Sequence, residues 1–225
     1  MKKTAFLIAF CVALAMQANG QVDNMYPGGG ASTPRAIPEP LLLPDFPMLN
    51  GQVVYQEVFD FQDSDQAALF GIALRYVSEY YKSAKTVIDV TDPVTGLVVV
   101  KGNFSIVSDV YYRFFGTQKA VAVNRTGHTL KIESRPGRIR VTIDNLVVTQ
   151  EANPATGVMF SEIPIQSLIG EYEDYEQYAA SQKPKKAQKL AQVNRSILLD
   201  ELDLNAYRFL QGLKPYFEKE LKEDW

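Results

Sequence analysis

The chain has 225 residues, and its 23 Lys and Arg against 26 Asp and Glu give a formal net charge of −3. A mildly acidic protein has no general electrostatic attraction to nucleic-acid phosphates. With a single cysteine, Cys11, and a single histidine, His128, the composition excludes a zinc site of the Cys/His type.

The first twenty residues are typical of a secretory signal peptide. Lys2 and Lys3 form a positively charged N-terminal region, and Ala5 to Met16 form an apolar run. The small residues up to Gly20 form a cleavage site. We therefore expect residues 1–20 to be removed and the mature chain to begin at Gln21. The apolar run is shorter than the roughly 20 residues of a membrane-spanning helix, so we expect no integral membrane segment after cleavage.

Cleavage would also remove Cys11, which lies inside the apolar run and not behind a small residue, as a lipoprotein would require. The mature chain would then carry no thiol, and packing alone would stabilise it. We expect it in the periplasm or at the cell surface of a Gram-negative bacterium.

Residues 21–51 form a predicted Pro/Gly-rich tether. Half of the chain's 12 prolines lie here, and so does the run Gly28–Gly30. Such a composition supports neither a helix nor a central strand. The second half, IPEPLLLPDFPML, is unusually apolar, and it would either pack against its own domain or be recognised by an external partner.

Residues 52–170 carry the strongest periodicity. A strand is predicted by the alternation of Val53, Tyr55, Phe59 and Phe61. A helix capped by Asp63 or Ser64 follows and runs to Lys82. The apolar stripe of this helix is predicted to contain Leu69, Ile72, Tyr76, Val77 and Tyr80.

A strand over Lys85 to Val90 and a turn at Asp92 to Gly96 are predicted next. The following strand places alternate side chains inward, namely Val98, Val100, Phe104 and Ile106. From Val110 to Asn124 we predict one further strand, kinked near Gly116.

The segment HTLKIESRPGRIRVTIDNLVV predicts a hairpin with Pro136-Gly137 at its tip. In that register Glu133 faces Arg140 and Ile132 faces Val141, so the apolar pairs share one face. The opposite face is polar, and its members are Lys131, Glu133, Arg135, Arg138, Arg140 and Asp144.

Residues 171–225 are predicted to be a helical extension. Pro164 suits the first turn of a helix, and the acidic segment from Glu171 is followed by the basic run Lys183 to Lys189. The spacing of apolar residues predicts a later amphipathic helix, with a stripe formed by Leu199, Leu202, Ala206, Leu210 and Leu213. Pro215 is expected to kink or end this helix.

The segments YYKSAKTVIDVTDPVTGLVVVKGNF and LKIESRPGRIRVTIDNLVV resemble a secreted bacterial domain-of-unknown-function family with a TATA-binding-protein-like (TBP-like) fold. The resemblance covers about Val53 to Ile169 and rests on the small and apolar residues around Ala84-Lys85, Ile88 and Lys101-Gly102. It implies an α+β fold in which a curved antiparallel sheet in β-α-β-β-β-β order carries helices on one face, followed by C-terminal helices. The family has no established activity, so the resemblance assigns no functional residue.

No motif in the chain predicts catalysis. His128 follows Gly127 at a predicted strand start, which favours a turn or surface position, and no serine nucleophile motif is present. The acidic cluster Glu171 to Glu176 lacks the spacing and the glycine of a calcium loop. We predict no catalytic, cofactor-binding or metal-binding residue, no cofactor, and a protein that is not an enzyme.

The polar hairpin face is a candidate binding surface. Lys131, Arg135, Arg138 and Arg140 could hold an anionic ligand, and aromatic side chains could stack beside it, namely Tyr111, Tyr112, Phe114 and Phe115. The export signal, the net negative charge and the pairing of Glu133 with Arg140 disfavour nucleic acid as the partner.

Two classes of function remain open. One is a non-enzymatic binding or assembly module that docks on another protein of the bacterial envelope through the sheet face, the Pro-rich segment or the C-terminal amphipathic helix. The alternative is a binder of a small anionic ligand or glycan, or an enzyme with a carboxylate and tyrosine cleft between the sheet and the C-terminal helices.

Overall fold

The structure of the chain is a computed structural model that describes residues 36–81, 83–113, 116–150 and 161–222. The predicted signal peptide lies outside these residues, as do residues 21–35 and the aromatic pair Phe114-Phe115.

The described elements are eight strands and four helices, here numbered in chain order. The strands are β1 (Met48–Leu49), β2 (Gln52–Val53), β3 (Tyr55–Asp60), β4 (Ile88–Asp92), β5 (Leu97–Arg113), β6 (Thr117–Arg135), β7 (Arg138–Gln150) and β8 (Ser161–Pro164). The helices are α1 (Gln66–Tyr80), α2 (Ala84–Val87), α3 (Ile165–Ser181) and α4 (Lys186–Lys222).

The chain divides into two compact units. Among the described residues, the first unit comprises 36–45, 105–113, 116–126, 147–150 and 161–203, and the second comprises 46–81, 83–104, 127–146 and 204–222. Strands β5, β6 and β7 and helix α4 each contribute residues to both units.

The second unit contains a sheet whose strand order is β3-β7-β6-β5-β4. β3 pairs antiparallel with β7, with Tyr55 opposite Ile143, and β4 pairs antiparallel with β5, with Thr91 opposite Val98. Taken along the chain from β3, the larger elements follow the β-α-β-β-β-β order that the resemblance implied. The α+β fold class is therefore confirmed.

The N-cap of helix α1 is Asp65, and not Asp63 or Ser64 as predicted. The side chain of Asp65, the observed N-cap, accepts a 2.7 Å hydrogen bond from the amide of Ala68. The cap prediction was wrong because Asp63 has a φ of 67° and because the carbonyl of Ser64 accepts a hydrogen bond from the amide of Gly137. Both residues belong to the chain reversal that precedes the helix.

The end of α1 also differs from the prediction. The helix ends at Tyr80, and Tyr80 is 46% exposed, whereas Tyr81 beyond the helix is buried. The extended backbone of Tyr81 turns its ring to the core side. The strand predicted over Lys85 to Val90 begins only at Ile88, because the amide and hydroxyl of Thr86 both bind the carbonyl of Ser83 and close the short helix α2.

The turn from Asp92 to Gly96 forms as predicted. The Asp92 carboxylate accepts hydrogen bonds from the amide of Val94 at 2.9 Å and from the hydroxyl of Thr95 at 2.7 Å. Gly96 has a φ of 73°, and a Cβ there would lie 2.3 Å from the carbonyl oxygen of Ser134. Glycine is therefore required at this position.

Strands β6 and β7 form the predicted hairpin. Its apolar face is buried as expected, and the buried residues include Leu130, Ile132, Ile139, Val141 and Ile143. The single kinked strand predicted from Val110 to Asn124 was wrong, because β5 ends at Arg113 and the neighbouring strand β6 begins at Thr117. The chain reverses where a kink was predicted, so both strands are longer than the sequence indicated.

The first unit adds a strand that the sequence analysis did not predict. β8 pairs antiparallel with the end of β7, with Ile163 opposite Val148. Pro164 lies at the N-cap position of α3, one residue before the predicted first turn, and Ile165, Leu168 and Tyr172 of this helix are buried. A short connection then joins α3 to α4, as the charge pattern predicted.

Helix α4 is amphipathic, and Pro215 does not end it. Its predicted stripe is buried throughout, from Leu199 to Leu213. In the second unit the helix packs on residues of β3 and its continuation. The ring centroids of Tyr207 and Tyr55 lie 5.2 Å apart, and those of Phe217 and Phe61 lie 5.5 Å apart.

The apolar part of the predicted tether contacts its own unit. The amide of Leu41 donates to the hydroxyl of Ser196 at 2.9 Å, and the carbonyl of Leu41 accepts from the hydroxyl of Tyr172 at 2.8 Å. Glu39 also forms an ion pair with Lys189. Of the two alternatives for this segment, packing against its own domain is the one observed at these residues.

Candidate functional site

Strands β3, β6 and β7 of the second unit expose a polar depression near the hairpin tip. We call it the arginine surface, and its lining residues are Val58, Glu133, Arg135, Arg138 and Arg140, around a volume of about 180 Å³. Alternation along each strand places these side chains opposite the buried apolar face. Val58, which lies opposite Arg140 in the sheet, is 50% exposed and supplies the apolar part of the surface.

Glu133 holds Arg140 by two hydrogen bonds, one from Nε and one from Nη2, both 2.6 Å long. These bonds and the charge of Arg140 lower the pKa of the Glu133 carboxyl, and Arg135 and Lys131 lower it further. The same hydrogen bonds raise the pKa of Arg140. The cross-strand pairing predicted from the hairpin register is therefore present.

Arg135 and Arg138 differ from Arg140 in their surroundings. Within the part of the chain that the structure describes, no carboxylate lies within ion-pairing distance of either guanidinium, although Asp60 lies opposite Arg138 in the sheet. Both side chains are exposed. The arginine surface thus offers two guanidiniums beside a third that a carboxylate fixes in place.

The remaining predicted site residues lie apart from this depression. Lys131 forms a 2.6 Å ion pair with Asp144 and is not a lining residue. Tyr111 and Tyr112 belong to the first unit, where both are half-buried. The backbone amide and carbonyl of Tyr111 are each held at 2.8 Å by the side-chain amide of Asn194.

The prediction of a surface position for His128 was wrong. His128 is only 4% exposed, its Nε2 lies 2.7 Å from the hydroxyl of Tyr81, and its ring stacks on Phe104 at 4.9 Å. The reason is that β6 begins at Thr117, so His128 lies well inside the strand with its side chain toward the core. Burial also raises the pKa of Tyr81, so the phenol remains neutral.

A second cavity, which the sequence analysis missed, lies in the second unit among α1, β5 and α4. We call it the aromatic cleft. It has a volume of about 260 Å³, and its lining residues are Tyr76, Tyr80, Phe104, Asn205, Arg208, Phe209 and Gly212. Burial, and next the neighbouring phenols, raise the pKa of Tyr76, and burial raises that of Tyr80.

The described lining of neither cavity contains a set of metal ligands. No cluster of three or more His, Cys, Asp or Glu that could hold a metal ion occurs among the described residues. The described lining of the aromatic cleft contains tyrosines and an arginine and no carboxylate. None of the helices that the structure describes combines the length and apolar character needed to cross a membrane.

Comparison with known proteins agrees with this fold. Residues 55–149 match the family described as a domain of unknown function (DUF4468) with TBP-like fold. Residues 55–149 form a domain of this family. The match spans β3 to β7, which includes α1, the arginine surface and part of the aromatic cleft, and it confirms the family that the sequence resembles.

Two solved structures are similar to the chain. A DUF4468 family protein from Bacteroides ovatus ATCC 8483 has 16% identity and a TM-score of 0.49, with 76% of this chain and 90% of that chain covered. A TBP-like protein from Parabacteroides distasonis ATCC 8503 has 16% identity and a TM-score of 0.42, with 73% and 96% covered. No curated protein matches the chain.

Proposed function

We propose that this DUF4468 protein is an exported binding module of the bacterial envelope that recognises an acidic segment of another protein through the arginine surface. It catalyses no reaction in this role. The observation that supports the proposal is the pair of guanidiniums of Arg135 and Arg138, which lack a carboxylate partner in the described chain beside a third arginine that Glu133 holds in place.

The chemistry of the surface favours carboxylates as the ligand groups. A guanidinium presents its donors in a planar fork that matches a carboxylate, and hydrogen bonds between charged groups are the stronger kind. Val58 adds exposed apolar area between the cations, which suits a peptide with apolar as well as acidic side chains. The depression has a volume of about 180 Å³, which fits a few side chains of a segment and not a large substrate.

The test is a binding titration of the chain from Gln21 onward with a fluorescent peptide rich in Asp and Glu. A peptide of the same length with Gln and Asn in place of the acids is the ligand control. We expect the acidic peptide to bind and its affinity to fall with salt, because exposed charges are screened. Equal binding of both peptides would contradict the proposal.

Charge-reversal variants test whether the peptide binds at the arginine surface. Arg135→Glu with Arg138→Glu removes two charge-assisted contacts, each of which contributes about 1.5–3 kcal/mol, so affinity should fall by more than about tenfold. Arg125→Glu is the matched control, because Arg125 is an exposed arginine of β6 in the other unit. Equal losses in both variants would show a general charge effect and overturn the assignment, as would stronger binding to vesicles with anionic lipid than to the peptide.

A further inference from the structure

The aromatic cleft is formed by residues that helical geometry places on common faces. Asn205 lies three and four residues before Arg208 and Phe209 on α4, and Gly212 lies four and three residues after them, so these residues share one side of the helix. Tyr76 and Tyr80 are likewise four residues apart on α1. Phe104 of β5 completes the lining.

The aromatic walls hold one another in defined orientations. Tyr76 and Tyr80 stack with ring centroids 5.6 Å apart, and Tyr80 meets Phe209 edge to face at 4.8 Å. Tyr76 also meets Phe209 near the perpendicular at 5.9 Å. These are the favoured geometries of aromatic pairs, so the cleft is formed before any ligand enters.

The ring of Phe104 packs against other side chains of the second unit. His128 stacks on Phe104, and the hydroxyl of Tyr81 lies 2.7 Å from Nε2 of His128. Tyr81 in turn lies directly over Gly102, where a Cβ would come within 2.3 Å of its ring. A chain of packed groups from β5 to β6 therefore fixes the position of Phe104.

The mouth of the cleft carries a positive charge. Arg208 is exposed, and among the described residues no carboxylate lies within ion-pairing distance of it. Tyr80 is 46% exposed, so its ring also faces the solvent in part. Since the Tyr76 and Tyr80 phenols stay neutral at ordinary pH, they add no negative charge that would repel an acid.

We propose that the aromatic cleft is a binding site for a small ring-shaped carboxylic acid, whose ring packs against the aromatic side chains that line the cleft while its carboxylate pairs with Arg208. The volume of about 260 Å³ is below the range of about 300–1,000 Å³ typical of sites for drug-sized ligands, so one ring is the size that fits. A uronic acid sugar and an aromatic acid share this chemistry. This site is distinct in its lining residues from the arginine surface.

Gly212 provides the sharpest test of the site. A Cβ at Gly212 would meet no atom within 4 Å, so the side chain of Gly212→Leu starts in open space and occupies part of the cleft that Gly212 lines. Gly71→Leu is the matched control, because Gly71 is a helical glycine with the same free space and is not a lining residue. Both variants should fold, since each replaces glycine in a helix by a better helix former.

The experiment is a calorimetric titration of the chain from Gln21 onward with glucuronate and with phenylacetate, each beside its neutral analogue, glucose and phenylacetamide. To exclude the arginine surface, the protein carries Arg135→Glu and Arg138→Glu throughout. We expect at least one acid to bind, Gly212→Leu to weaken that binding by more than about tenfold, and Gly71→Leu to leave it unchanged. The acid that binds identifies the source of the ligand as a sugar or an aromatic compound.

Arg208→Gln tests the charge separately from the shape. We expect it to abolish the preference for the acid over its neutral analogue, with residual binding of the ring. The proposal is overturned if neither acid binds, if Gly212→Leu binds as well as the parent protein, or if each acid binds no better than its neutral analogue. None of these results bears on peptide binding at the arginine surface.

Discussion

Gly102 leaves the space that the Tyr81 ring occupies. A Cβ at this position would lie 2.3 Å from Cε1 and 2.7 Å from Cζ of Tyr81. The overlap is with a buried ring and not with the end of a flexible chain, so the backbone of β5 or the ring itself must move. The family resemblance rests in part on Lys101-Gly102. The contact with Tyr81 explains why a residue without a side chain occupies position 102.

Replacement of Gly102 by alanine should therefore destabilise the protein. We expect Gly102→Ala to lower the free energy of unfolding by about 1–3 kcal/mol, which is typical of overpacking. Gly71→Ala, at an exposed helical glycine with free space, should instead leave stability unchanged or raise it by up to about 1 kcal/mol. Urea denaturation measures both values, and equal effects of the two variants would contradict the steric explanation.

The Glu133–Arg140 pair predicts an acid-dependent loss of stability. Because Arg140 lowers the pKa of Glu133 below its ordinary value of 4.5, the charged form stabilises the fold at neutral pH, and this contribution is lost as the pH falls through the lowered value. Glu133→Gln should remove this component of the pH dependence below 4.5. Glu173→Gln on α3 is the control, since Glu173 is exposed. Thermal unfolding followed across that range distinguishes them, and identical pH profiles for wild type and Glu133→Gln would contradict the pairing.

The contacts of a single residue could be predicted where its partner is close in sequence. Glu133 and Arg140 are joined by a tight hairpin, so the alternation of apolar residues sets which side chains meet. His128 was not predictable in this way, because its burial depends on Tyr81 and Phe104, which come from other parts of the chain. A lone histidine beside a glycine carries no signal for such distant partners.

At the scale of elements, the start of α1 gives a direct test. Asp65→Ala removes the side chain that accepts a hydrogen bond from the amide of Ala68, and we expect a loss of about 1 kcal/mol in the free energy of unfolding. Ser64→Ala should cost less, because the hydrogen bond of Ser64 to Gly137 uses the backbone carbonyl. A larger loss for Ser64→Ala than for Asp65→Ala would show that the cap is elsewhere.

Elements with an uninterrupted period were predicted well, whereas the reversal between β5 and β6 and the short helix α2 were not. The alternation after Gly96 and the stripe of α4 follow directly from burial on one face. The segment from Val110 to Asn124 keeps the same alternation on both sides of Gly116, so a reversal and a kink have the same sequence pattern. Helix α2 was missed because Thr86 satisfies the Ser83 carbonyl locally within a segment of β-branched residues.

At the scale of the whole molecule, the two candidate surfaces differ in how they could be found. The arginine surface lies on strands whose order and register the hairpin sequence indicates, and the prediction recovered Arg135, Arg138 and Arg140 together. The aromatic cleft combines rings from α1, β5 and α4 that are far apart in sequence. Only the packing of α4 in the second unit brings those rings together, and the periodicity of α4 alone does not specify its partners.

The proposed role combines a predicted export signal, a family fold without an established activity, and a surface that suits acidic groups. The mature N-terminus depends on the predicted signal peptide and is itself a prediction. Protein recovered from the envelope of a producing bacterium should begin at Gln21, as N-terminal sequencing would determine. An N-terminus at Met1 in that fraction would contradict cleavage.

Photo-crosslinking in intact cells tests the central claim most directly. A photoreactive amino acid at Val58, within the arginine surface, should crosslink to a segment of an envelope protein that mass spectrometry identifies as rich in Asp and Glu. The same probe at Val94, which is 86% exposed in a turn of the second unit, should not give this product. Arg135→Glu with Arg138→Glu should abolish the Val58 crosslink. A crosslink that survives charge reversal, or one to a segment without acidic residues, would contradict the proposed function.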